Sequence, residues 1–293
     1  YDHRFIETPN IDRIAKEGVR FTNSFVANSL SGTSRACLLT GKHSHANRFT
    51  DNTKTFDGGQ QTFPKLLKQA GYQTAIVGKW HLTSEPTGFD YWNILIGQGD
   101  YYNPYFIDNG EKKQIEGYAT NITTDLAIDW MDQKRDKNKP FCLLLHHKAP
   151  HRTWMPDTCD LELYKDVVFP IPETFYDKYE GRIAASQQEM SVIKDMDLVY
   201  DLKLADKENE IHSNPGLEKA GRNMYNRMTP EQKAAWDKHY DPIIKEFKEK
   251  KLSGKALAEW KYQQYMHDYI RVIHSVDRNV GRVFDYLEKK DLL

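Results

Sequence analysis

Ser31-Gly32-Thr33-Ser34-Arg35-Ala36-Cys37-Leu38-Leu39-Thr40-Gly41 decides how the rest of the chain reads. Before it, Val19 to Ala27 alternates well enough to predict a strand. After it, Arg35 to Thr40 is compatible with a short helix that Gly41 would stop. The layout predicts strand, tight polar turn, helix, with Ser31 in the turn and Thr33 or Ser34 as N-cap. A helix start presents free N–H groups and the positive end of the dipole. Arg35, four residues after Ser31, can share its helix face. A guanidinium beside a hydroxyl at such a place suits a phosphate or a sulfate.

Outward from this stretch the pattern is α/β. Thr8 to Gly18 reads as a helix opened near Pro9 and closed by Gly18, with Ile11, Ile14 and Ala15 as its inner stripe. Thr62 to Gly71 is a short capped helix with Pro64 in its first turn, and Tyr72 to Gly78 is a buried strand. Helix, glycine, apolar strand is the rhythm of a mostly parallel sheet, in which ligands bind off the strands' carboxyl ends. Lys79-Trp80-His81 falls at such an end, and in extended backbone Lys79 and His81 would face one side. Residues 118–136 form a helix with Ile122, Leu126, Trp130 and Met131 inward. Phe141 to His146 is a continuous apolar run, predicted as a central parallel strand, and it delivers His147, Lys148 and His151. Pro150 excludes a zinc helix bearing His147 and His151. His43 and His45 read as surface or supporting histidines rather than a metal pair.

From about 195 to 261 Lys, Glu and Asp are dense, which predicts a charged helical insertion with helices over Glu231–Lys250 and Lys255–Tyr265. Met266 to Leu292 follows as a long amphipathic helix. With 41 basic and 42 acidic residues the net charge is −1, so no bulk field advertises nucleic acid or an anionic membrane. No apolar run approaches the roughly 20 residues that span a bilayer. Cys37, Cys142 and Cys159 make no disulfide framework.

The stretch from Ser31 to Gly41 resembles the sulfatase signature: Cys or Ser, any residue, Pro or Ala, Ser, Arg, three residues, Leu, Thr, Gly. Ser31 stands at the position converted to formylglycine; Ser34, Arg35, Leu39, Thr40 and Gly41 match, and Thr33 departs. Ser in place of Cys corresponds either to the serine-type bacterial sulfatases or to a Cys-to-Ser replacement that keeps an unconverted hydroxyl. Three more segments match in family order: Thr8 to Ala15, Gly78-Lys79-Trp80-His81-Leu82, and Lys148-Ala149-Pro150-His151.

The resemblance implies an alkaline-phosphatase-like fold, a mixed and mostly parallel sheet flanked by helices. It implies 3-oxoalanine (formylglycine) from Ser31, made by a formylglycine-generating maturase and hydrated to a gem-diol. A sulfated gem-diol can expel sulfate through its second hydroxyl, whereas a sulfated serine would need a second displacement. Arg35 would hold the diol, Lys79 and His151 would contact sulfate or the leaving oxygen, with His151 as general acid, and His81 would steady the hydrated aldehyde. One Ca²⁺ would bind the diol of Ser31 and the sulfate, its other ligands being expected outside this chain. The chain would thus be the middle of a sulfatase catalytic domain, without the first strand and the C-terminal part, and a poor catalyst by itself.

Pro86 to Trp92 and Gly97 to Pro104 are similar to N-acetylglucosamine-6-sulfatases and mucin-desulfating bacterial relatives. That subgroup implies a 6-O-sulfated glycan of heparan, heparin or mucin type as partner, met in the periplasm or outside the cell. Gln98, Asp100, Tyr101 and Tyr102 are the candidate substrate-binding residues. Tyr101, Tyr102 and Tyr105 would be either an aromatic wall for a sugar or packing beneath a loop. Two other readings stay open, a phosphoric ester hydrolase of the same superfamily and an inactive carbohydrate-binding chain.

Overall fold

A computed structural model describes residues 5–189 and 191–293. The chain divides into two compact units. One holds Pro9–Ala149 with Val276–Leu293, and the other holds the described residues up to Thr8 with Pro150–Ser275.

The first unit is built on a sheet. Its helices are α1 (Pro9–Glu17), α2 (Ser31–Thr40), the single turn α3 (Ser44–Asn47), α4 (Phe63–Gln69) and α5 (Ala119–Asp129), which runs on into a π-helical turn, Trp130–Lys134. Its strands are β1 (Gln73–Lys79), β2 (Tyr91–Leu95), β3 (Tyr105–Asp108), β4 (Glu111–Gln114) and β5 (Phe141–His146), in the order β4-β3-β2-β1-β5. β1 runs parallel to β2 and β5, while β3 and β4 are antiparallel. The sheet is therefore mixed and flanked by helices, as expected.

Strand alternation sorts the core into two layers. Ile76 packs with Ala36 and Leu39 of α2, Phe49, Phe56 and Leu82. Ala75 and Val77, on the opposite face, pack with Ala127, Trp130 and Met131. Gly78 has φ +101°, and a Cβ there would meet the His146 carbonyl oxygen at 2.1 Å. Only glycine lets β1 and β5 close together at this end.

Several expectations are corrected. Val19–Ala27 is not a strand: it is irregular, with Val19 75%, Phe21 79% and Phe25 91% exposed. Alternation supplies a face, but a strand also needs a ladder partner, and none of the sheet's strands pairs with this segment. In α1 Ile14 is exposed. Polar contacts hold this helix instead: Asp277 accepts from Asn10 and from the Ile11 N–H, and Arg13 pairs with Glu288 and lies 4.7 Å over the Phe284 ring. β5 is the edge of the sheet among the described residues, and half-buried rather than central.

The second unit is mainly helical. Beyond the single turns α6 (Ile183–Ser186) and α7 (Val192–Asp195) come α8 (Pro215–Asn226), α9 (Pro230–Lys250) and α10 (Gly254–Lys289). α9 opens with a capping box between Thr229 and Gln232. α10 is one helix of 36 residues, not two, and its residues from Val276 onward belong to the sheet unit. The unit is wider than the expected insertion and has its own interior. Ile6, Phe169, Ile270 and Ile273 form one cluster, and Trp236, Tyr240 and Ile244 are also buried. Not all its charge is solvated, because Lys203 and Asp268, both buried, pair at 2.9 Å. Asp268 also accepts from Tyr240 and Arg271, which is the full partnering a buried ion needs. No helix among the described residues is long and apolar enough to cross a membrane.

Candidate active site

α2 begins at Ser31 itself, with Leu30 in extended backbone as its N-cap residue. Thr33 and Ser34 therefore lie in the first turn instead of capping it, and the Thr33 hydroxyl donates to the Leu30 carbonyl. The Gly32 N–H is taken from afar by Asn52 Oδ1 at 3.1 Å. Gly41 closes the helix at φ +66°.

Ser31 Oγ lies 3.2 Å from Nδ1 of His81. His81 follows β1 in left-handed backbone, φ +55°, so it does not continue the strand's alternation as the sequence predicted. Arg35 reaches across to the end of β1 and donates from Nη1 to the Lys79 carbonyl at 2.8 Å. Burial lowers the Arg35 pKa to about 10. Lys79 is the last residue of β1, 3% exposed. Its pKa falls to about 7, through burial first and then the charges of Arg35 and Lys148. A cleft of about 580 Å³ opens here, lined by Ser31, Ser34, Arg35, Trp80, Leu144 and His146 among others.

Ser31, Arg35, Lys79 and His81 are thus brought together by α2 and the end of β1. His151 belongs to the other unit, where its Nδ1 lies 2.6 Å from the Arg152 carbonyl oxygen. Gln98 and Asp100 are half-buried on the loop after β2. Tyr101 and Tyr102 are each 2% exposed, so neither offers a face to a sugar in this structure. They pack on Tyr118, Tyr101 stacked at 5.9 Å and Tyr102 edge-on at 5.4 Å. Packing beneath the loop is what the structure shows.

Two further groups at this end, Lys148 and His146, carry no assigned role in the sequence reading. Lys148 is buried, with Nζ 3.3 Å from the Gln98 carbonyl and 4.7 Å over the Tyr101 ring. Burial lowers its pKa to about 8, against the pull of Asp100. His146, the last residue of β5, has Nδ1 3.0 Å from Arg35 Nη1. Its position at the carboxyl end of the apolar run Phe141–His146 is the one signal the sequence carries for it.

The groups whose contacts define the Ser31 end are a guanidinium, an ammonium, imidazoles and a carbonyl. A hard dication takes about six or more oxygen ligands, carboxylates among them. Among the described residues, the group of acids and thiols close enough to share an ion is Asp157, Cys159 and Asp160, in the other unit. The chain's own residues around Ser31 therefore fit an oxyanion and do not by themselves fit calcium.

A hydroxyl at a helix start, cations converging at a strand end and a mixed sheet behind them define an α/β protein built to handle an oxyanion. The sulfatase family model matches residues 1–293. An N-acetylglucosamine-6-O-sulfatase from Bacteroides thetaiotaomicron is 52% identical over 99% of this chain and 52% of its own length. The human N-acetylgalactosamine-6-sulfatase is 31% identical over 68% of this chain and 43% of its own length. A solved complex of a protein with its substrate D-glucosamine-2-N,6-O-disulfate superposes with TM-score 0.91 and 52% identity, over 97% of this chain and 58% of that one. The chain belongs to the sulfatase family. It spans about half the length of the first of these relatives. The family generally uses formylglycine and a divalent metal.

Proposed function

We propose that this chain is the nucleophile-bearing part of a glycan sulfatase that removes the 6-O-sulfate of glucosamine-type residues in heparan, heparin or mucin glycans. The observation that carries it is the 52% identity over 99% of the chain to an N-acetylglucosamine-6-O-sulfatase. The geometry supports it, with Ser31 at a helix start beside His81, Arg35 bonded to the Lys79 carbonyl, and the Lys79 ammonium close enough to feel the Arg35 charge.

Arg35 supplies a permanent positive charge and bidentate donors for sulfate oxygens. Burial and the neighbouring cations lower the Lys79 pKa to about 7, and a bound sulfate would favour its charged form. His81 orients the Ser31 side chain, while Lys148 adds charge close enough to act on Lys79. The formylglycine made from Ser31 by a maturase would supply a hydroxyl pair through which sulfate leaves without a second displacement. The general-acid role of His151 rests on its motif. Calcium ligands beyond Ser31 would come from the rest of the longer protein. By family kinship the parent works in the periplasm or outside the cell.

The test is sulfate release by the full-length protein produced with a maturase. Release from 6-O-sulfated N-acetylglucosamine, lost in Arg35→Ala and His151→Ala, supports the reading. Preference for 4-sulfated galactosamine or for a phosphate ester would overturn it.

A further inference from the structure

His146 is joined to the site by a contact that the sulfatase reading leaves without a role. Its Nδ1 lies 3.0 Å from Arg35 Nη1 and 3.2 Å from the Lys79 carbonyl oxygen, and the same Nη1 donates to that oxygen at 2.8 Å. A guanidinium has donors only, so the contact with Nη1 is a hydrogen bond in the tautomer whose Nδ1 accepts and whose proton sits on Nε2; the other tautomer would donate Nδ1–H to the Lys79 carbonyl oxygen instead. Nη1 carries two hydrogens. With Nδ1 accepting, one goes to the last carbonyl of β1 and the other to the ring at the end of β5.

Two acceptors on adjacent strands fix both the position and the plane of the guanidinium. Their spacing is set by the parallel register, in which Gly78 pairs with His146, and by the glycine that permits the close approach. Burial and the Arg35 charge hold the ring neutral, with a pKa down at about 4, so the acceptor persists at neutral pH. The imidazole also lines the cleft beside Ser31 and Arg35.

We propose that His146 is the positioning residue that aims the Arg35 guanidinium at Ser31, through the hydrogen bond from Arg35 Nη1 to its Nδ1. This rests on the sulfatase reading for its consequence and on the hydrogen bonds for its existence. A buried hydrogen bond to a charged group is worth enough that its loss lowers kcat/KM about tenfold to a hundredfold.

The experiment uses the full-length protein with His146→Phe, which keeps a ring but no acceptor, and His146→Asn, whose Oδ1 takes the place of Nδ1. Crystal structures of both variants read the Arg35 side chain directly, and kinetics and thermal melting accompany them. The expected result is a displaced or disordered Arg35 and the stated loss in His146→Phe, with order and most activity kept in His146→Asn at similar melting temperature. In an Arg35→Lys background, His146→Phe adds little further loss, which a merely structural role would not produce. An Arg35 that stays in place in folded His146→Phe, or equal impairment of both variants, overturns the proposal. If Arg35 is ordered through His146 but the wild type releases no sulfate, the functional reading falls and the positioning stands.

Discussion

Ser31 Oγ and His81 Nδ1 stand 3.2 Å apart because the residue between Ser31 and the rest of α2 has no side chain. A Cβ on Gly32 would meet Asn52 Oδ1 and Phe49 at 2.8 Å and the His81 carbonyl oxygen at 2.9 Å. The start of α2 is thereby pressed against the backbone that carries its partner imidazole.

Gly32→Ala should therefore destabilise the protein by about 1–3 kcal/mol, although alanine is the better helix former. Thermal melting reads the stability, and sulfate release by the full-length variant should fall with it. A higher melting temperature with normal turnover would show that the close approach is not needed.

Lys79 gives the stability of the ligand-free protein a sign against pH. Its pKa is 10.5 in ordinary surroundings and about 7 when folded, so between those values the unfolded chain binds more protons. Stability should then rise with pH across that window, fully gained only above the unfolded value. Denaturant titrations at about pH 7 and about pH 10 should show this rise, and Lys79→Met should reduce it. Added sulfate should flatten it by favouring the charged lysine. A wild-type slope equal to that of Lys79→Met would contradict the burial argument.

Tyr102→Ala should act first on stability, since the ring is packed on Tyr118 and 2% exposed. A loss of about 3–5 kcal/mol is expected for a buried aromatic. If the melting temperature is unchanged and only KM rises, the tyrosine faces a sugar after all.

Calcium calorimetry on this chain should show no tight one-to-one binding, because the groups gathered at Ser31 are cations, imidazoles and a carbonyl. Tight stoichiometric binding together with full turnover would mean that the metal ligands lie within these residues.

Two strands of the sheet, β1 and β5, are legible in the sequence because their signals are local, whereas β2 (Tyr91–Leu95) reads there only as part of a loop. Thr62, Pro64 and Gly71 punctuate α4, and continuous apolar runs mark β1 and β5. The β3–β4 hairpin, absent from the sequence expectation, has its signal in Asn109-Gly110, both in left-handed backbone. Val19–Ala27 failed for the opposite reason, since its pattern was present and no strand among the described residues pairs with it. Motif positions single out Ser31, Arg35, Lys79 and His81, which the structure brings into one neighbourhood. They could not reveal His146, whose role depends on the register between β1 and β5. Tyr101 and Tyr102 were ambiguous because a ring that stacks on Tyr118 and one that stacks on a sugar look alike in sequence.

The central claim is that Ser31 is the reacting residue of a sulfatase, and mass spectrometry of its peptide tests that most directly. After production with an oxygen-independent maturase, the peptide spanning Ser31 should be lighter by a pair of hydrogens, and Ser31→Ala should abolish the change. A peptide of unchanged mass would contradict the account.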